Sequence, residues 1–167
     1  MPMKPAIFLV LLFSFVLACR SAPPVDVPDG AKPHIGDSWF DWRAKTLGIT
    51  PEQARARDAK LPDGEDGEVP PPGTLDANTR VEAALLWKAE CARCHGMKGE
   101  PPPSVPGQAQ PRTWGGMGPA MGFTFGGDKM RAGVYKKIWL GAGAMPGWKG
   151  YLSREQTWAL VAHIENI

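Results

Sequence analysis

The sequence predicts a small all-α domain of about three to four helices, preceded by a Pro/Gly-rich and partly disordered stalk. Two stretches carry helix-capping signals followed by apolar residues at helical spacing, one near Thr79 and one near Ser153. The 18 Pro and 20 Gly among 167 residues are too many for a uniformly packed globule. We therefore assign residues 1–18 to a leader, 19–78 to the stalk and 79–167 to the folded domain.

Charge is distributed unevenly along the chain. Residues 20–78 carry 7 basic and 11 acidic side chains, whereas residues 79–167 carry 11 basic and 6 acidic ones. A basic domain is expected to be steered toward an acidic protein partner, although an ordinary solvated surface is the alternative. The basic side chains in question are Lys98, Lys129, Arg131, Lys136, Lys137 and Lys149. We expect no nucleic-acid partner.

The N-terminus has the pattern of an export signal. Lys4 precedes an uninterrupted apolar run from Ala6 to Ala18, whose length suits a signal-peptide core and is short for a membrane span. The run ends at Cys19, and Val16-Leu17-Ala18-Cys19 resembles the lipobox of bacterial lipoproteins. This resemblance implies lipidation of Cys19 and an anchor on the periplasmic side of the bacterial cell envelope. An ordinary exported protein with a chance cysteine is the alternative.

The stalk contains two stretches that cannot fold alone, residues 21–33 and 61–73, because they are rich in proline and small or acidic residues. Between them, Thr50 and Gln53 form a capping box around Pro51, which predicts a short helix from Pro51 to about Lys60. We expect residues 20–78 to act as a tether whose removal leaves the domain equally stable.

An aromatic cluster interrupts this otherwise polar stalk at Trp39, Phe40 and Trp42. Such a cluster either packs back on its own domain or docks on a partner, and the sequence leaves both alternatives open.

The first helix of the domain is predicted to start at a capping box formed by Thr79 and Glu82. Ala83, Trp87, Cys91 and Cys94 then recur at helical spacing and place one face of the helix against whatever the cysteines hold.

Cys91, Cys94 and His95 form a Cys-x-x-Cys-His motif, which indicates one covalently attached haem c. The two thiols can reach the two vinyl groups of one porphyrin, and His95 can bind the iron. A zinc site would need a second pair of ligands at similar spacing, and no further cysteine follows. A redox dithiol would need a βαβ setting and would gain nothing from His95.

The sixth iron ligand is predicted to be Met145, because it lies in a proline- and glycine-rich loop, GAGAMPGW, that follows a helix-like stretch from Asp128 to Leu140. The other candidates are Met97, Met117, Met121, Met130 and His163.

Here the chain resembles the class I (mitochondrial-type) cytochromes c. Their pattern of an aliphatic residue, a glycine and Met-Pro matches Ile138, Gly141, Met145 and Pro146. The resemblance covers about residues 79–167 and implies a small cytochrome c fold around one covalent haem.

The last helix of the domain is predicted to start at a capping box formed by Ser153 and Gln156. Its apolar stripe consists of Thr157, Leu160, Val161 and Ile164. In the family this helix crosses the first one through a glycine and aromatic residues. Here Ala83 stands where glycine is usual and His163 where tyrosine is usual, so we expect His163 to be a packing residue.

The resemblance also implies roles for the loop between the axial ligands. In the family, a proline carbonyl accepts the Nδ1–H of the proximal histidine, and Pro106 or Pro103 is the candidate. Arg112 and Trp114 could bind the haem propionates, with ordinary surface positions as the alternative.

These features favour electron transfer over catalysis. His/Met ligation leaves no open iron site, so no small-molecule substrate is expected, and a cytochrome peroxidase of this type would need a second Cys-x-x-Cys-His. We expect a membrane-anchored carrier between partners such as a quinol-oxidising complex and a terminal oxidase. The alternatives are a fixed subunit of a membrane redox complex and a haem-based ligand sensor.

Overall fold

The computed structural model describes residues 25, 27–71, 73–104, 106–107 and 109–167. The leader and the predicted lipidation site at Cys19 lie outside the described residues. Six α-helices and one π-helical turn follow each other within these ranges, and β-pairing is limited there to two isolated bridges. The helices are α1 (Asp37–Leu47), α2 (Pro51–Asp58), α3 (Ala77–Leu86), α4 (Ala92–His95), α5 (Met117–Leu140) and α6 (Arg154–Glu165). The predicted all-α fold is confirmed.

Helices α1 and α2 form a hairpin ahead of the predicted domain. The capping box at the start of α2 forms as expected, because the Thr50 hydroxyl accepts from the amide of Gln53 and the Gln53 side chain accepts from the amide of Thr50. Helix α1, by contrast, was not expected from the sequence. It ends at Gly48, which adopts a positive φ of 66° and so can terminate the helix at no steric cost.

The aromatic cluster around Trp39 packs on its own chain. Trp39 is buried and lies with its ring centroid 5.0 Å from that of Trp42, which in turn stacks on His34 at 5.2 Å. The guanidinium of Arg55 sits 4.4 Å from the centre of the Phe40 ring. Of the two alternatives for this cluster, the structure therefore shows intramolecular packing.

The segment from 34 to 76, which we call the collar, is joined to the helical domain by polar contacts. Arg43 is only 3% exposed and donates to both carboxylate oxygens of Glu155 and to Asp76. Asp58 caps the N-terminus of α6 by accepting from the amides of Arg154 and Glu155 at 3.1 and 2.7 Å.

Further collar contacts lie on either side of the Arg43 network. The indole of Trp158 donates to the carbonyl of Pro62 at 2.7 Å, and the side chain of Gln156 donates to the carbonyl of His34 at 2.6 Å. Gly64 lies directly against the ring of Tyr135, where a Cβ atom would come within 2.8 Å of ring carbon Cδ1. These contacts correct the expectation that all of residues 20–78 act as a tether, because the collar supplies both buried aromatic surface and partners for charges on α6.

Helix α3 starts slightly earlier than the sequence predicted. Its N-cap is Asp76, whose side chain accepts from the amide of Thr79 at 2.9 Å, so the predicted capping box of Thr79 and Glu82 is wrong. Aspartate is at least as good an N-cap as threonine, and Asp76 is also held in place by Arg43. Glu82 faces the collar instead, where its carboxylate accepts from the backbone amide of His34.

Helix α5 is longer than predicted and has a kink. The predicted helix from Asp128 to Leu140 forms its second half. The first half extends back to Met117, and the two halves meet at Gly127, which has a non-helical φ of 51°. Its glycine-rich sequence has poor helix propensity. The half-helix is held instead by Phe123, which is buried.

Helix α6 closes the domain as expected, with the predicted capping box between Ser153 and Gln156. It packs against both α3 and α5, and Ala83 of α3 is fully buried. The core contains four tryptophans besides Phe123, Tyr135 and aliphatic residues. No helix in the described ranges is both long and apolar enough to cross a membrane.

Candidate functional site

A cavity of about 310 Å³ opens beside the Cys-x-x-Cys-His motif. Cys91, Cys94, His95 and Met145 all line it, although 50 residues of chain separate the last two. Its apolar walls come from the second half of α5, from α6 and from the loop after α5, namely Val134, Ile138, Trp148, Leu160 and Ile164. Two thiols, an imidazole and a thioether thus share one mostly apolar space.

A π-helical turn, Trp87–Cys91, delivers the first cysteine to the cavity. A π-helical turn contains more residues than an α-helical turn, so it rotates α4 relative to α3. The side chains that point from these two helices into the cavity therefore do not follow a regular 3.6-residue spacing. Trp87 is buried at the start of the turn, and its indole donates to the carbonyl of Met97 at 3.2 Å. That bond fixes the position of the backbone just after the Cys-x-x-Cys-His motif.

The two cysteines have different surroundings and are not joined to each other. Cys91 is half-buried, and this burial, together with the charge of Glu90, raises the pKa of its thiol to about 12. Cys94 is exposed at the cavity edge. A reactive redox dithiol requires a lowered thiol pKa, so the surroundings of Cys91 do not suit that chemistry.

His95 is oriented by a backbone carbonyl. Its Nδ1 lies 3.0 Å from the carbonyl oxygen of Arg112, so an Nδ1–H donates there and the lone pair of Nε2 is left for a ligand bond. The prediction that Pro106 or Pro103 provides this carbonyl is therefore wrong. Both prolines are exposed, and neither lines the cavity.

The Arg112 carbonyl reaches His95 because two backbone bonds hold the loop beside the motif. The carbonyl of Gly99 accepts from the amides of Trp114 and Gly115 at 2.7 and 3.1 Å. At Gly99, which has a φ of +68°, a Cβ atom would lie 2.6 Å from the Gly115 nitrogen, so only glycine allows this approach. In the sequence, the glycine four residues after His95 was the available sign that the loop approaches the motif closely at this point.

Met145 is held in a tight loop. It exchanges two backbone hydrogen bonds with Ala142, at 3.0 and 3.1 Å. Gly141, at a φ of +83°, lies so close to the loop that a Cβ atom there would come within 2.7 Å of the Met145 carbonyl oxygen. In the described part of the chain, the other candidate sixth ligands do not line the cavity, namely Met97, Met117, Met121, Met130 and His163.

His163 packs behind the site. Its ring centroid is 5.7 Å from that of Trp87, whose other neighbour is His95 at 5.9 Å. Burial lowers the pKa of His163 to about 4, so this side chain is neutral at pH 7. The position suits the packing role expected for it.

Charged groups surround the cavity mouth. Arg112 lines it, and its guanidinium lies 4.9 Å from the centre of the buried Trp114 ring. Arg93 and Lys137 also line it, together with one carboxylate, that of Glu90. Neither Arg93 nor Lys137 was expected from the sequence to line the site. Lys137 follows Val134 by three positions, a helical spacing that could have placed it on the cavity face.

Comparison with known families identifies this half of the chain. The family model described as cytochrome c oxidase, cbb3-type, subunit III, matches residues 78–164. The match contains the Cys-x-x-Cys-His motif, Met145 and the residues of the cavity walls, whereas the collar lies outside it. Among curated proteins and among solved structures, the comparisons found no match.

Proposed function

Because this chain belongs to the family of cytochrome c domains described as cytochrome c oxidase, cbb3-type, subunit III, it has a haem-based electron-transfer role, and we propose that it carries one haem c on Cys91 and Cys94. His95 and Met145 would be the axial ligands. The observation that supports this assignment is the single cavity lined by all four side chains.

The donor set and the walls of the cavity fit this group. A covalently attached haem supplies a one-electron iron couple. The Arg112 carbonyl holds His95 with Nε2 available, and the Ala142–Met145 bonds hold the thioether in place. The apolar walls would keep water away from the faces of a haem bound between them. Arg93, Arg112 and Lys137 offer positive charge to the propionates at the cavity mouth.

This assignment separates an electron carrier from a haem-based ligand sensor. With both axial positions occupied by protein side chains, exogenous ligands have no open site. Exposing the reduced full-length protein to carbon monoxide should therefore leave the Soret band unchanged. A rapid Soret shift in the unmodified protein would instead support the sensor and contradict stable Met145 ligation.

We further propose that Cys19 carries a lipid that anchors the protein to the periplasmic side of a bacterial membrane. The supporting observations are the apolar run that ends at Cys19 and the absence of another cysteine in the sequence besides the two of the haem motif. The donor would be a partner such as a quinol-oxidising complex, and the acceptor a partner such as a terminal oxidase.

Replacing Cys19 with Ala should release most of the protein from the membrane fraction. A diacyl anchor provides the two chains that stable attachment requires, and the substitution removes the attachment atom. Fractionation followed by haem staining measures the result, and Ser21→Ala, which leaves both Cys19 and the haem motif intact, is the control. Unchanged membrane partitioning of Cys19→Ala would refute the lipoprotein assignment.

A fixed subunit of a membrane redox complex is the second candidate, and the oxidase subunit named in the family description favours it. Affinity capture of the lipidated protein from solubilised membranes distinguishes the two roles. Recovery of a stoichiometric complex that survives gel filtration supports a subunit, whereas recovery of the cytochrome alone supports a shuttle.

A further inference from the structure

The first half of α5 exposes a row of large apolar side chains. Met117, Met121 and Phe125 recur at every fourth position, which places them on one helix face, and they are 78%, 50% and 80% exposed. Residues 114–127 contain no Asp, Glu, Lys, Arg or His. Single exposed apolar residues are ordinary on a protein surface, but an uncharged helix with three in a row indicates an interaction site.

The other side of this half-helix is fixed to the domain. Phe123 is buried and packs against Trp114, with ring centroids 6.4 Å apart. The single hydroxyl of the segment, that of Thr124, donates to the carbonyl of Ala120 at 2.8 Å. Because this hydroxyl is satisfied within the helix, the half-helix from Met117 to Gly127 holds no side-chain donor that needs water as a partner.

The collar shortens the tether between the predicted anchor and the fold. His34 follows Cys19 by only fifteen positions, and its backbone bonds to Glu82 and Gln156. Fully extended, such a chain spans at most roughly 50 Å, which exceeds the radius of a domain of this size. An acyl anchor at Cys19 would therefore hold the domain close to the bilayer while letting any face reach it. The exposed side chains then decide which face of the domain contacts the bilayer.

The charges that flank the row are of both signs. Gly115, just before the row, lies against the backbone of Lys98 and the side chain of Glu100. At the other end, Asp128 pairs with Arg131, and Lys129 is exposed. Because these flanking charges are of both signs, this surface has no net electrostatic attraction for a strongly charged protein.

We propose that Met117, Met121 and Phe125 insert into the interfacial region of the bilayer as a second membrane contact. The inference rests on the proposed lipid anchor at Cys19. Three side chains bury too little area for stable binding alone, but a short tether keeps their effective concentration at the membrane high. This contact would fix the orientation of the domain, which the acyl anchor by itself leaves free.

Site-directed spin labelling of the lipidated, haem-loaded protein tests the proposal. Lipid and thioether bonds occupy the native cysteines, so a single introduced cysteine can carry a nitroxide. Phe125→Cys reports on the row, and Tyr151→Cys, at a position 66% exposed on a separate loop, is the matched control. In vesicles of phosphatidylethanolamine and phosphatidylglycerol, the label at 125 should be several-fold less accessible to a water-soluble nickel complex than the label at 151. Adding Met117→Ser and Met121→Ser should restore that accessibility without changing the haem spectrum.

Vesicle flotation separates the possible failures. Equal nickel accessibility at 125 and 151 in protein that floats would overturn the inserted row while leaving the anchor intact. Protein that does not float at all would overturn both. Protection of the label at 125 in native membranes but not in pure lipid would overturn the bilayer contact in favour of a protein partner.

Discussion

Replacing Arg43 with Ala should lower the free energy of unfolding by about 3 kcal/mol, because it breaks a buried ion-pair network. Arg43 makes a two-pronged contact with Glu155 and a further bond of 2.7 Å to Asp76. Burial raises the pKa of Glu155 despite this cation, so loss of Arg43 would leave a costly carboxylate in the interior. Urea unfolding followed by far-ultraviolet circular dichroism measures the effect.

Arg55→Ala is the matched control for this prediction. Arg55 also pairs with an aspartate across the collar, but its partner Asp37 is 90% exposed, so the loss should stay below about 1 kcal/mol. The double variant Arg43→Met/Glu155→Met should lose less stability than the sum of the single variants, since the two side chains interact directly. Equal, small losses for Arg43→Ala and Arg55→Ala would show that the collar behaves as a tether.

Replacing Met145 with Ala should open the iron. The variant is expected to lose the weak long-wavelength absorption band of thioether-ligated ferric haem and to fall in reduction potential as water or hydroxide takes the site. When reduced, it should bind carbon monoxide, because a vacated axial position accepts exogenous ligands. Absorption spectroscopy and a redox titration measure these changes.

The other methionines provide controls of the same chemical type. Met117 and Met121 are exposed and Met130 is half-buried, and none of them lines the cavity. Alanine at any of these positions should keep the band. If Met145→Ala retains the band while one of these variants loses it, the sixth ligand has been assigned to the wrong loop, although attachment at Cys91 and Cys94 would stand.

Local sequence patterns predicted two helix starts correctly. The capping boxes at Thr50 and Ser153 form as expected, because the residues involved are three positions apart and interact within one turn. The box predicted at Thr79 is wrong for a non-local reason. Asp76 takes the N-cap position, where it also accepts a bond from Arg43, a residue 33 positions away.

The four side chains predicted to form the site do line one cavity, but the backbone support around them was not predictable from the sequence. The Cys-x-x-Cys-His motif and the GAGAMPGW loop are contiguous, and both reach the cavity. The carbonyl that orients His95 belongs to Arg112 and not to a proline, because two bonds to Gly99 bring that part of the loop into place. Any residue has a carbonyl group, so its side chain gives no sign of this role.

The sequence by itself determined the all-α class, the Cys-x-x-Cys-His motif, the position of Met145 in a constrained loop and the two capping boxes, since each depends on residues within a few positions of one another. Only the tertiary structure decided that the collar packs on the domain and that the glycine-rich half of α5 is helical. The physical reason is that these features depend on long-range partners. Arg43 meets Glu155 across 112 positions, and Phe123 is held by Trp114 and the core, so composition and periodicity contain no record of either contact.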